Sequence, residues 1–369
     1  MTKMLSQTKK GTLKERVRLL RNTFYDDVDE IKYNLNKFKN NLTHKKSKTI
    51  DLQRNSETFK IAIYVSETGE NASKGDYFTA MELGDGLNKL GYEVIFLPKN
   101  GLNYWYELSE DVDAVISMLD IFDPRRIKTN NSALIKIAWP RNWFDRWIIN
   151  PGFKNYDIIL VPSITSKEYI VNKTDKKPIL FPIATNPDRF NGSVPQKKEF
   201  LCDYCFTGSY WNSPRDIIGM LEPDKLPYTF KLYGKNWDEI PKFKEYLQGF
   251  VNYTKLPQIY ASTKIVVDDS NMATKNFGAV NSRVFDALAC GTLVITNGVK
   301  GADETFNGKL PVFTSKKELN DLITYYLSND HERKVLTAEL QKFVLENHTY
   351  INRAQTFKKC LDEYTQNME

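Results

Sequence analysis

The sequence predicts an α/β protein built from two doubly wound parallel sheets in series, behind a helical N-terminal extension. Three observations predict it. From Phe59 onward, apolar runs of strand length alternate with helical segments, the pattern of repeated βα units. The alternation pauses once, at the Pro-containing connector KPILFPIATNPDRF (177–190), and then restarts. The length, 369 residues, is that of two domains.

Composition narrows the function classes. Apolar residues make up 41% of the chain, enough for two cores, and 18 Gly with 15 Pro is too few for a low-complexity chain. No apolar run is long enough for a membrane-spanning helix. The start, MTKMLSQTKKGTLKERVRLL, lacks the apolar centre of a secretory signal. Four cysteines are too sparse for a disulfide framework. A soluble, cytoplasmic protein is expected. The net charge of +6 is concentrated in residues 1–58, which hold 14 Lys/Arg against 7 Asp/Glu. The rest of the chain is nearly balanced, so no nucleic-acid partner is expected.

The extension comes first. Leu13, Val17, Leu20, Phe24, Val28, Ile31, Leu35, Phe38 and Leu42 recur at three- and four-residue spacing, one stripe of a helix over roughly 12–43. Lys45 to Asn55 reads as a polar linker. Three roles fit the helix: docking on the protein's own body, self-association, or peripheral membrane contact. Asp26, Asp27, Asp29 and Glu30 count against membrane contact in the middle; Arg16, Arg18 and Arg21 favour it in the first half.

In the body, FKIAIYVS is a buried strand, ETGENASKGD a loop, YFTAMELGDGLNKL a helix stopped by Gly91, and YEVIFLP a second strand. Further strands are expected at 113–119, 133–139 and 157–163. The second half should hold strands at 203–209, 228–234, 264–270 and 292–297, with a weaker one at 311–313. Helices are expected at 214–221, 256–262, 281–290, 316–328, 331–346 and 351–365. Ligands of such sheets bind outside the carboxyl ends of the strands, so the chemistry belongs in the loops there.

The most informative segment is NFGAVNSRVFDALACGTLVITN, 276–297. Asn281 or Ser282 can cap a helix whose start offers free amides and a positive dipole, suited to phosphate. Arg283 adds a charged planar fork at that end. Asp286, one turn on from Ser282, could accept hydrogen bonds from ribose hydroxyls, although Arg283 and Asp286 could equally be a surface ion pair. NSRVFDALACGTLVIT followed by NGVKGADETF resembles the donor-binding core of GT-B glycosyltransferases, in particular the bacterial group-1 and spore-maturation CgeB-like relatives. Looser resemblance extends over about 59–365.

The resemblance implies two Rossmann-like domains facing a cleft. The expected division is 1–58 as extension and linker, 59–185 as acceptor domain and 186–349 as sugar-nucleotide domain. A last helix, within 350–369, is expected to cross back to the first domain. Many retaining members of the family carry two Glu residues eight positions apart; Asp286 stands at the second position, and the first falls on Gly278.

Beside this segment, FTGSYWNSPRDII (206–218) runs a strand into Gly208-Ser209 and a helix opening at Ser213-Pro214, with Arg215 aimed at the same space. In LYGKNWDEI, Lys235 is a candidate for donor phosphate and Trp237 is read as packing. Cys202 and Cys205 are read as structural, since one CxxC without a second pair or a nearby His supplies too few metal ligands. In the first half, Asp76 at the start of the first body helix is a candidate base, with helix capping as its other reading. The three His, at 44, 331 and 348, all lie outside 59–190. Within AWPRNWFDRW, Arg141 and Asn142 are candidate acceptor residues, and Trp143 and Trp147 are read as packing.

The expected function is therefore transfer of a sugar from a nucleotide-diphosphate sugar to a glycan, lipid-linked or protein acceptor. No metal and no other cofactor are expected. Gly208, Ser209, Arg215, Lys235, Ser282 and Arg283 would hold the diphosphate. A sugar-nucleotide epimerase of the same fold, or a binding module without turnover, are the competing readings.

Overall fold

The computed structural model describes residues 13–43, 58–99, 101 and 104–367. The expected linker, Lys45–Asn55, lies outside them. The elements of the first half are α1 (Leu13–Thr43), β1 (Lys60–Val65), α2 (Gly75–Asn88), β2 (Glu93–Pro98), β3 (Ala114–Ser117), β4 (Ile135–Ala138), α3 (Phe144–Ile149), β5 (Ile158–Val161), α4 (Ile164–Lys173) and β6 (Ile179–Leu180). The second half holds β7 (Cys202–Thr207), α5 (Asp216–Met220), β8 (Phe230–Tyr233), α6 (Leu256–Ala261), β9 (Thr263–Asp268), α7 (Met272–Lys275), α8 (Ser282–Ala289), β10 (Leu293–Thr296), α9 (Val299–Phe306), α10 (Lys316–Ser328), α11 (Asp330–Asn347) and α12 (Tyr350–Gln366).

Two sheets form, with strand orders β2-β1-β3-β4-β5-β6 and β10-β9-β7-β8. The paired strands run parallel, for example Ile61 opposite both Val94 and Ala114, and Tyr204 opposite both Phe230 and Ile265. Strands such as Ile61–Val65 and Ile265–Val267 are wholly buried, as parallel strands covered on both faces must be. In each sheet the first strand of the half lies between the next two strands to pair with it, so the winding reverses direction there. These reversals, β1/β3 and β7/β9, are where crevices open at the carboxyl ends. The segment 311–313 contributes only an isolated bridge, Thr296 to Val312.

The chain divides into two compact units: residues 1–80, 91–160 and 173–178, and residues 81–90, 161–172 and 179–369. The boundary thus falls a few residues before the expected 185, and two short pieces of the first half belong to the second unit. Helix α12, expected to cross back to the first domain, clusters with the second unit. Its first residue packs against Gly86, where a Cβ would lie 2.9 Å from the Tyr350 carbonyl carbon.

Helix α1 docks on the first unit, but through the face opposite its apolar stripe. Asp26, 6% exposed, accepts a hydrogen bond from the Tyr106 hydroxyl at 3.0 Å and sits 3.9 Å from the Lys99 ammonium. Arg126 pairs with Asp27 and Glu30, Lys128 with Glu30, Arg146 with Glu15, and Arg18 of the helix with Asp120. Tyr33 stacks on Tyr104 at 4.7 Å. The stripe faces solvent: Leu20 is 69% exposed and Phe24 63%. The physical reason is local complementarity, because the body presents cations and tyrosines to which acids on the polar face can pair.

Candidate functional site

The carboxyl end of the second sheet collects most of the candidate residues. Strand β7 ends at Thr207 and the chain turns through Gly208 at φ +150°. A Cβ at Gly208 would lie 2.7 Å from Arg283 Nη2, so only glycine admits that guanidinium. Gly234, after β8, also has φ +150°, and a Cβ there would collide with the Gly208 carbonyl oxygen. The two loops are laced together. Lys235 N donates to Ser209 Oγ at 3.1 Å, Tyr210 N to Lys235 O at 2.9 Å, and Trp237 Nε1 to Gly208 O at 2.7 Å. Trp237 is fully buried, as packing requires. The Lys235 ammonium lies over the Phe250 ring at 4.3 Å.

Helix α8 begins at the same place. Its N-cap, Asn281, does not cap with its side chain. That amide donates to Asp268 Oδ1 and Ser270 Oγ, both at 2.9 Å. Arg283 Nη1 donates to Asp268 Oδ1 at 2.6 Å, and Thr296 Oγ1 to Asp268 Oδ2 at 2.7 Å. Helix α5 starts at Asp216, two residues later than expected from Pro214, which leaves Arg215 extended as its N-cap. The Arg215 guanidinium donates to Asp269 O at 2.8 Å and Ser209 O at 3.3 Å. Both guanidiniums gather over Phe206, at 4.7 Å for Arg283 and 5.9 Å for Arg215. Burial, then the charge of Arg283, lowers the proton affinity of Arg215.

Three polar atoms of this cluster, Arg215 Nε, Arg283 Nε and Asp269 Oδ2, are buried without a hydrogen-bond partner among the described residues. Asp269 is raised to about 6 by burial, partly offset by Arg215. Two adjacent cations with unspent donors are an arrangement suited to a doubly charged anion such as a diphosphate.

Sequence reasoning did not assign roles to Asp268, Asp269, Asn297 or Phe206. Asn297 Nδ2 donates to Asp216 Oδ2 and Asp269 Oδ1, both at 2.8 Å, and braces the cluster. The available signal was position: Asp268 ends β9, and Asp269 and Asn297 follow directly on β9 and β10 at the carboxyl ends of the strands. Asp286, assigned to ribose from the sequence, lies on the buried face of α8, 4% exposed, where Thr185 Oγ1 donates to it at 2.7 Å. Burial pushes its carboxyl well above the usual carboxylate range. Gly278, at φ +69°, leaves room for Glu304: a Cβ would meet Glu304 Oε1 at 2.9 Å. The Glu304 carboxylate accepts from Ile164 N at 2.8 Å and from the Thr165 hydroxyl, at the start of α4.

In the first unit, Asp76 takes hydrogen bonds on Oδ2 from Ser66 N at 2.6 Å and Ser66 Oγ at 2.8 Å, tying the first turn of α2 to the end of β1. Arg141 and Asn142 are half-buried after β4, with the Arg141 guanidinium 5.9 Å from the Trp139 ring centre. Trp147 is buried. Trp143, read as packing, is 39% exposed, sits at φ 51°, and carries the Arg146 guanidinium on its face at 3.5 Å. A left-handed conformation in a bulky residue is uncommon and marks this loop. Cys202 and Cys205 are buried free thiols beside Thr263.

Residues 215–359 match the family model described as glycosyl transferase-like, which takes in Arg215, Lys235, Ser282, Arg283 and Asp286. An uncharacterized glycosyltransferase of Methanocaldococcus jannaschii is 22% identical over 165 residues, covering 42% of this chain and 40% of that protein. The match therefore spans well under half the length of that curated relative. Among solved structures, a glycosyltransferase from Rickettsia africae superimposes with a TM-score of 0.58 at 14% identity, over 85% of this chain and all of that one. HepE of Anabaena, in complex with UDP-glucose, gives 0.61 at 8% identity over 82% of this chain and 99% of its own. The fold is GT-B. Within this GT-B chain, the β7–β10 sheet ends carry the arginine cluster, and no helix among the described residues is long and apolar enough to cross a membrane.

Proposed function

We propose that the chain is a group-1, CgeB-like glycosyltransferase that moves a hexosyl or deoxyhexosyl group from a nucleotide-diphosphate sugar to a glycan, lipid-linked or protein acceptor. The observation that carries the reading is the pair Arg215 and Arg283 over Phe206, with buried unspent donors beside Gly208. The glycosyl transferase-like match over 215–359 and the UDP-glucose in the Anabaena neighbour support the choice of donor. The CgeB-like part rests on NSRVFDALACGTLVIT.

In this reading the bond from the anomeric carbon to the diphosphate oxygen breaks, and its electron pair stays on the leaving diphosphate. Arg215, Lys235, Arg283 and the α8 start at Ser282 neutralise that charge, so the reaction is assigned no metal. Gly208 and Ser209 let backbone approach the phosphates. Asp286, assigned to the ribose from the sequence, is held on the buried face of α8 by Thr185. The acceptor oxygen forms the new bond and gives its proton to a carboxylate. Asp76 is assigned that role through Oδ1, its other oxygen being engaged by Ser66. Arg141 and Asn142 are assigned to the acceptor.

Calorimetry with UDP, GDP, dTDP and their sugars tests the donor site: one nucleotide should bind, and Arg283→Lys should weaken it. No binding of any nucleoside diphosphate rejects the reading. Donor incubated without acceptor separates the alternatives, because an epimerase returns an isomerised sugar, a transferase consumes donor only with acceptor, and a binding module does neither.

A further inference from the structure

The docking of α1 sorts its charges by face. Acids point to the body: Glu15, Asp26, Asp27 and Glu30 are ion-paired there. The opposite face holds Leu13, Val17, Leu20, Phe24, Ile31, Leu35 and Phe38, all exposed. At 100° per residue this stripe is about 60° wide and runs about 40 Å along the helix. Its edges are basic. Lys14, Arg21, Lys32 and Lys39 follow one edge and Arg16 the other, and all five are exposed. The acid on an edge, Asp27, is already paired with Arg126 at 2.5 Å.

We infer that α1 seats the protein on an anionic phospholipid surface, with the stripe in the headgroup–acyl boundary and the flanking cations on lipid phosphates. An apolar stripe edged by Lys and Arg is the charge pattern an anionic bilayer recognises. Of the four acids that count against membrane contact when the sequence is read alone, Asp26, Asp27 and Glu30 are spent on the body, while Asp29 is exposed and pairs with Lys32 at the edge of the stripe. Charge also argues against a second copy on the same stripe. An antiparallel pairing sets the basic edge against itself, and a parallel one offers it Arg16, Thr23, Asn34 and the engaged Asp27. The inference is independent of the glycosyltransferase reading, since it concerns the first unit and needs no turnover.

Co-sedimentation of the full chain with vesicles tests it. Binding should be strong with phosphatidylcholine vesicles containing about one third phosphatidylglycerol, weak with phosphatidylcholine alone, and reduced by salt. Phe24→Glu with Ile31→Glu should abolish it, while leaving the melting temperature unchanged because both side chains are exposed. Lys14→Glu with Lys32→Glu should lower the partition coefficient by at least about fivefold per cation removed. Failure of the native chain to sediment with anionic vesicles overturns the inference, as does equal binding to both lipid mixtures. A dimer in light scattering that Phe24→Glu dissociates, without vesicle binding, would assign the stripe to a second copy.

Discussion

The two sheets reverse their winding at equivalent places, yet the carboxyl ends of β1/β3 and β7/β9 are built on opposite principles. At the first, acids fix their own loop: Asp76 holds Ser66, and Glu67 accepts from Ser73 N and from Lys74 N at 2.8 Å. Acceptors there are matched to nearby donors. At the second, two guanidiniums crowd over one phenyl ring, and one pairs with an almost wholly buried Asp268. Two donors, the Nε atoms of Arg215 and Arg283, and one acceptor, Asp269 Oδ2, stay buried without a hydrogen-bond partner among the described residues. Leaving buried polar atoms without partners is costly, and it is this cost that the proposed diphosphate would relieve. The same topology thus yields a locked loop in one unit and a buried cluster of guanidiniums and carboxylates in the other.

The largest test of this contrast is Gly234→Ala. Its Cβ would collide with the Gly208 carbonyl at a positive φ, so the β7 and β8 loops must part. A loss of about 2–4 kcal/mol in urea unfolding is expected, together with loss of nucleotide binding. A wild-type stability would show that the lacing is dispensable.

Proton linkage gives a second test. Asp269 is raised to about 6, so the native state holds its proton more tightly than the unfolded chain. Its contribution is complete below the ordinary carboxylate range and is lost as pH rises through 6. His348 works the other way: burial, then Arg353, lowers it to about 3, and its contribution is lost as pH falls below its ordinary value. The difference between the native chain and Asp269→Asn isolates the former. The Asn variant should gain about 2–3 kcal/mol relative to the native chain between about pH 4 and pH 7. A flat difference would remove the buried anion from the account.

Arg283→Ala should cost nucleoside-diphosphate binding about 1.5–3 kcal/mol, and it should also lower stability by stranding Asp268. Arg283→Lys separates the two by keeping a charge near Asp268 while losing the planar fork. Equal affinity of the native and Lys chains by calorimetry would reduce the site to a point charge. The smallest effect belongs to the locked end: Asp76→Asn should cost about 0.5–1.5 kcal/mol of stability and leave nucleotide affinity unchanged. Loss of turnover at that small structural cost would support its assignment as base.

Much of this was legible in the chain. Strand positions in both halves follow from apolar runs such as KIAIYV and KIVVD, since a parallel strand covered on both faces must be apolar throughout. The 31-residue α1 was legible from its stripe, Gly208, Arg215 and Lys235 from their place after strands, and Arg283 from its place at a helix start. Some short helices were legible too, as at 256–262 and 281–290, but others were not. Residues Phe144–Ile149, Ile164–Lys173 and Met272–Lys275 have too few turns for a period to stand out, and side-chain contacts such as Glu304 with Thr165 hold them from a distance in sequence.

By itself, then, the sequence determined two parallel sheets, their loop-borne cations and an amphipathic N-terminal helix, because periodicity and turn chemistry are local properties. Which face of that helix meets the body, that Asp286 turns inward to Thr185, and that Asp268 holds Arg283 were decided only by the tertiary structure. Each depends on pairing between groups far apart in the chain, and a buried charge takes whichever distant partner the fold brings within reach.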